Sequence, residues 1–297
     1  MPGSIPAFDT NRRLLASEPA TSEGRIGPFR SFRSGAGRIG LVLTGVLILI
    51  ALLAGRIAPL GPFASVGAPL SAPTLAHPMG TDDLGRDLLA GVVYGTRTSL
   101  RLALIVSLLT GGIGLVVGAL AGWEGGALDD VLMRLTEFVQ VVPRFFLAVI
   151  VIALFGPGLS QLALLLALTS WPWIARVVRA EVLSLRHREF VEAARSLGAG
   201  RARVVVREVL PNALPPVVVV VSLNAASVIL VEAGLSFLGL GDPDAVSLGY
   251  LANNAQQFLR VGWWMAAFPG ATIALAVLGL NLLGDGLNEM LSPRRAR

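Results

Sequence analysis

Three ionisable side chains, Glu137, Arg144 and Glu232, stand inside long apolar runs of this chain. A charge in an apolar layer is costly enough to require a partner or water, so these are the first places to look for chemistry. Glu137 and Arg144 are seven residues apart, which puts them on nearly one face of a helix. Arg144 follows Pro143, whose missing N–H leaves a backbone carbonyl one turn earlier without its helical donor. The expectation is that Arg144 snorkels toward the surface or pairs with Glu137. The sharper alternative is that it faces a water-filled pathway and meets anionic groups of a solute. Glu232 is either a protonated, hydrogen-bonded structural residue or part of a lining where two subunits meet. Arg144 and Glu232 are therefore the candidate pathway residues.

The remaining reactive groups exclude more than they offer. His77 and His187 are the two histidines, too far apart in sequence to give metal-ligand spacing. Neither a Gly-x-Ser-x-Gly elbow nor a His-Glu-x-x-His helix occurs. Cysteine is absent, which removes disulfides, thiolate chemistry and Cys-based metal sites. All 24 basic residues are Arg, and a Walker A loop needs a Lys to reach nucleotide phosphates. The chain reads as a non-enzyme without cofactor or metal of its own. If its work is driven by ATP, the ATP and Mg are bound by another subunit.

Docking is the chemistry best represented. A short polar segment, Glu189-Phe190-Val191-Glu192-Ala193-Ala194-Arg195-Ser196-Leu197-Gly198, lies between two apolar runs and is followed by Leu210-Pro211-Asn212. Ala193 and Ala194 favour helix and allow close approach of another surface. Gly198 suits the left-handed residue that ends a helix, and Pro211 is tolerated in the first turn of the next one. The candidate coupling residues are Glu189, Glu192, Ala193, Ala194, Gly198, Leu210 and Pro211.

These residues must be positioned by membrane helices. At 54% hydrophobic and 14% charged, 297 residues are far too apolar for a soluble domain. Six segments are long enough to cross an apolar layer that takes about 20 helical residues. They lie near Ile39 to Leu60, Leu100 to Trp123, Val131 to Phe155, Leu159 to Val178, Leu214 to Leu238 and Trp263 to Leu287. Residues 1 to about 38 read as a flexible tail, and a core of residues 98–290 is followed by a short C-terminus, 291–297. Arg12, Arg13, Arg25, Arg30, Arg33 and Arg38 precede the first span, and Arg294, Arg295 and Arg297 follow the last. The positive-inside rule then puts both termini and the Arg-rich loop 179–210 in the cytoplasm, and loops 61–97 and 239–262 outside. Positive charge arranged this way reads as topology and not as a nucleic-acid surface. Trp263 and Trp264 are expected to anchor the last span at the interface, and Gly114, Gly118 and Gly122 to form one close-packing helical face.

The segment from Glu189 to Pro211 resembles the EAA loop of ABC importer permeases, with Glu192, Ala193, Ala194, Gly198, Leu210 and Pro211 at its positions and Glu208 where an apolar residue is usual. The wider chain is similar to the second, C-type permease subunit of dipeptide and oligopeptide ABC importers. The segments that carry this are His77-Pro78-Met79-Gly80-Thr81-Asp82-Asp83-Leu84-Gly85-Arg86-Asp87, Thr169-Ser170-Trp171-Pro172, the run 234–241, and Asn281-Leu282-Leu283-Gly284-Asp285-Gly286-Leu287. The resemblance implies an all-α, polytopic bacterial inner-membrane protein with six transmembrane helices and the type I permease fold. It also implies a homologous second permease, two ATP-binding subunits and an external solute-binding protein as partners, with membrane lipid around them. Peptides are the expected cargo. Nickel complexes, glutathione or another small solute stay open as alternatives, as does a proton-coupled secondary transporter using Glu232 or Asp285.

Overall fold

The computed structural model of the protein describes residues 35–291. The expected tail up to residue 34 and the C-terminal stretch from residue 292 lie outside the described residues, together with the terminal arginines used to orient the chain other than Arg38, which is in the first helix. Among the described residues the fold is all-α: eleven α-helices, and in place of strands two isolated bridges.

Helix α1 (Gly35–Leu52) is followed by the short α2 (Ala54–Ile57), so the single helix expected over 39–60 is broken and starts earlier. The chain leaves α2 at Ala58, with φ −131° and ψ 77°, because a residue preceding proline, here Pro59, is pushed out of the helical region. Helix α3 (Leu88–Glu124) has 37 residues and begins well before the expected Leu100. Its start is set by Asp87, whose side chain accepts from the Leu89 N–H, so residues 88–97 of the expected external loop are helical.

The span expected over Val131 to Phe155 is two helices, α4 (Gly126–Val141) and α5 (Arg144–Phe155), bent by 78°. Pro143 is the cause. It supplies no N–H and forces Val142 into an extended conformation with ψ 119°. Helices α6 (Leu159–Leu185), α7 (Glu189–Ser196) and α8 (Arg201–Val204) follow. A π-helical turn at Val205–Val209 leads into α9 (Leu210–Leu235), and a second at Ser236–Leu240 ends it. The loop expected over 239–262 contains a helix, α10 (Leu248–Ala255), with the side chain of Ser247 accepting from the Tyr250 N–H at its start. The last helix is α11 (Trp263–Leu291). Five helical stretches are long and apolar enough to cross a membrane, and the bent α4–α5 pair makes up to six.

The most extensive helix pairing is that of α3 with α6. A Cβ on Gly114 would fall 2.7 Å from the Ile174 Cβ, one on Gly118 2.6 Å from the Val178 Cβ, and one on Gly122 2.8 Å from the Arg179 carbonyl oxygen. The three glycines are thus a packing seam, as their spacing predicts. The loop before α3 is tied to the start of α11 by a hydrogen bond. Thr81 is fully buried there, donating from Oγ1 to the Ala68 carbonyl (2.7 Å) while its own carbonyl accepts from the Trp264 indole N–H (3.0 Å). Asp82 Oδ1 accepts from the Leu84 and Arg86 amides, and burial still holds this carboxyl above its ordinary range. The Trp pair is split: Trp264 is buried by its bond to Thr81, and Trp263, 60% exposed, is left as the residue available to an interface.

Candidate functional site

Helix α7 is short, polar and firmly seated. Glu189 and Glu192 occupy its first turn and Arg195 its last, the arrangement that favours the helix dipole. Its end is a Schellman motif. Gly198 has φ +80°, its N–H donates to the Arg195 carbonyl (2.9 Å), and the Ala199 N–H reaches back to the Ala194 carbonyl (3.1 Å).

The inner face of α7 is set by Val191, which is fully buried in a cluster with Val204, Val209, Ile174, Val178 and Val182. Through this cluster α7 is joined to α8 and to the π turn that leads into α9, with residues of α6 in the same core. Ala194 is half-buried and packs on the same cluster, whereas Glu189, Glu192 and Ala193 are exposed. The two alanines, about 100° apart around the helix, therefore face different surroundings: Ala194 meets its own chain, and Ala193 is the one exposed to another surface. Phe190 and Leu197 lie exposed beside it, Leu197 at 89%.

The end of α3 adds a second attachment. The Arg195 guanidinium lies over the Trp123 ring at 4.8 Å, and Arg186 Nη1 donates to the Gly122 carbonyl (3.1 Å), one of the carbonyls a helix end leaves without a donor. Arg179, expected in the loop, is on α6 and makes a bidentate pair with Asp129 of α4 (2.5 and 2.6 Å). Leu210 and Pro211 open α9, and Pro211 explains the π turn before it. With no N–H at 211 the helical ladder loses a donor, and the Leu210 N–H bonds instead to the Val205 carbonyl.

The pathway candidates are placed differently from expectation. The Glu137–Arg144 pair is not formed, because the two residues lie on separate helices across the 78° break at Pro143. Arg144 is exposed at the first position of α5, and its Nη2 donates to the Thr169 carbonyl (3.3 Å). Glu232 is fully buried within its own chain. Its Oε1 accepts from Ser236 and Ser247 (2.7 Å each), and its Oε2 from Ser99 (3.3 Å). Two of these serines are also acceptors, from the Leu248 and Tyr250 amides at the start of α10. One carboxylate thus orders α3, α9 and the N-terminus of α10 together.

Sequence reasoning missed the anchors. Val191 and Val204 look like ordinary apolar residues in a polar loop. Ser99 and Ser247 stand 133 and 15 residues from Glu232, and no local pattern joins them to it.

Comparison with known proteins places this architecture. Residues 114–297 match the family model of the binding-protein-dependent transport system inner membrane component. The chain is 36% identical to the di/tripeptide transport system permease protein DppC of Pseudomonas aeruginosa, over 90% of this chain and 91% of that one. It is 34% identical to the dipeptide transport system permease protein DppC of Haemophilus influenzae, over 86% and 90%. Among solved structures, an inward-facing form of the MetNI methionine ABC transporter superposes with a TM-score of 0.57 at 21% identity, covering 68% of this chain and 96% of that one. That likeness concerns the fold, which is the type I permease fold. The chain belongs to the family of binding-protein-dependent transport system inner membrane components, and it is a multi-pass inner-membrane permease subunit of an ABC importer.

Proposed function

We propose that this subunit supplies half of a translocation pathway for di- and oligopeptides, the other half coming from a homologous second permease. Cargo is delivered by an external solute-binding protein, and ATP and Mg are bound and used by two ATPase subunits. The peptide reading is supported by the names of relatives that match along most of their length. The coupling reading is carried by one observation: α7 is fixed to its own chain through buried Val191 and turns Ala193 outward, with Phe190 and Leu197 exposed beside it. A helix attached at both ends and pinned through its middle transmits displacement, where a loose loop would absorb it. ATP-driven closure of the ATPase pair then moves α7, and α7 moves the ends of α3, α6 and α9 in an alternating-access cycle. Arg144, exposed beside the α5 break, stands as the pathway candidate, while Glu232 has a structural role.

The two alanines give the test. In Ala193→Arg the subunit folds and pairs normally, but the ATPase no longer copurifies in full and uptake is lost. In Ala194→Arg the charge enters the chain's own cluster, and the subunit itself is destabilised by about 1–3 kcal/mol, the usual cost of overpacking. Full ATPase occupancy and coupled uptake in Ala193→Arg would remove α7 from the docking surface.

The proposed orientation has α7 and both termini in the cytoplasm and residues 58–87 outside. Because the chain has no native Cys, a Cys replacing exposed Ala76 is expected to react with an impermeant maleimide on intact spheroplasts. Reaction only after permeabilisation would invert the topology.

A further inference from the structure

A groove of about 300 Å³ runs between α1 and α3, in the half of α3 remote from α7. Its walls are aliphatic, with Ile48 and Leu52 on one side, Leu100 and Leu104 on the other, and Ala225 and Leu280 from α9 and α11 behind. Two cations interrupt this apolar surface. Arg97 and Arg101 line the same groove and are one helical turn apart, so both guanidiniums belong to one side of α3. Neither is ion-paired to a carboxylate among the described residues.

Their depth is informative. Along α3, Arg101 and Arg97 are separated from Trp123, which packs against α7, by about 33 and 39 Å at 1.5 Å per residue. The hydrocarbon layer is about 30 Å thick, so with Trp123 at one interface the two arginines fall at the other. On α3 the wall runs only from Arg97 to Leu104, so the groove lies at the edge of the hydrocarbon layer, with aliphatic side chains and paired cations together at headgroup level.

We propose that this groove binds an anionic phospholipid of the leaflet remote from α7, with an acyl chain between α1 and α3 and the headgroup phosphate on Arg97 and Arg101. A peptide does not suit the groove, since its backbone N–H and C=O groups would be buried against aliphatic walls without partners. An acyl chain carries no such groups, and guanidinium is the side chain best matched to phosphate oxygens. Naming this leaflet as the outer one rests on the orientation proposed above; the binding itself does not.

The assembled transporter is purified in detergent, stripped of lipid, incubated with phosphatidylglycerol or phosphatidylcholine, and read by native mass spectrometry. The wild type is expected to retain phosphatidylglycerol preferentially. R97Q/R101Q should lose that preference by on the order of tenfold, since each interfacial cation contributes appreciably to binding of anionic lipid, and R97K/R101K should keep most of it. L104W, which fills the groove, should lower retention of both lipids and leave headgroup preference unchanged. Equal phosphatidylglycerol retention by the wild type and R97Q/R101Q overturns the proposal. So does loss of the second permease from R97Q/R101Q, which would make this face a subunit contact. Should the double-variant subunit itself fail to fold and accumulate in membranes, R101Q, at an exposed position, carries the same comparison. Lipid retention is read without ATP, so it survives if the α7 assignment fails.

Discussion

Gly118→Leu should not give a normally assembled subunit. A Cβ at 118 already falls 2.6 Å from the Val178 Cβ and 3.0 Å from the Arg179 backbone nitrogen, and neither neighbour can yield without moving α6. Forcing a larger side chain into such a contact costs about 3 kcal/mol or more, because the obstruction includes backbone. The loss should appear as a lower thermal midpoint and poor recovery of the complex from membranes. Gly112 is the internal control: it lies on the same helix with open space where its Cβ would be, so Gly112→Leu should be tolerated. A Gly118→Leu subunit that assembles normally but transports a different set of solutes would turn this seam into a pathway lining.

The second large effect concerns the buried carboxylate. Glu232→Leu keeps much of the volume but leaves the hydroxyls of Ser99, Ser236 and Ser247 without their shared acceptor. Each buried donor left unsatisfied costs about 1–3 kcal/mol; allowing Ser236 to turn back on its own helix, a total near 3 kcal/mol is expected. Glu232→Gln, which keeps one acceptor oxygen, should lose about 1 kcal/mol. Because two of the serines support the first amides of α10, the damage should be local. Limited proteolysis should cut faster within 241–262 than elsewhere. A Glu232→Leu protein with the wild-type midpoint and unchanged cleavage would deny the hub any role in holding α10.

The elements set by long apolar runs were legible in the sequence, and those set by tertiary geometry were not. Apolar length alone located the membrane helices, and a four-residue glycine period located the α3–α6 seam. The helix-ending role of Gly198 was equally readable, because a left-handed terminal residue is a local requirement. The break at Pro143 was missed although the proline was seen. A proline can either kink a span or be absorbed by it, and the choice depends on what α5 packs against. The Glu137–Arg144 pairing failed for the same reason, since it assumed a continuous helix. Ala193 and Ala194 were indistinguishable by type, and only the burial of Val191 decides which of them faces outward. Helix α10 was hidden because its start is stabilised by serines whose own partner, Glu232, lies on another element.

The stretch from Arg201 to Leu240 runs as 40 residues of helix, with a π turn near its beginning and another at its end, where Gly239 leaves the helix at φ +84°. A π turn continues a helix with looser hydrogen bonding than an α turn. Hydrogen bonding is therefore looser at two places, beside α7 and beside α10, where the Phe237 carbonyl is gripped by the Asn253 and Gln256 amides (2.6 Å each), and Pro215 and Pro216 remove two further ladder donors between them. Engineers would recognise a linkage with a flexure at either end and a further one between them. Such a part carries thrust from one side of a wall to the other while letting its segments tilt, so a push at α7 would reach α10 with part of the displacement taken up on the way.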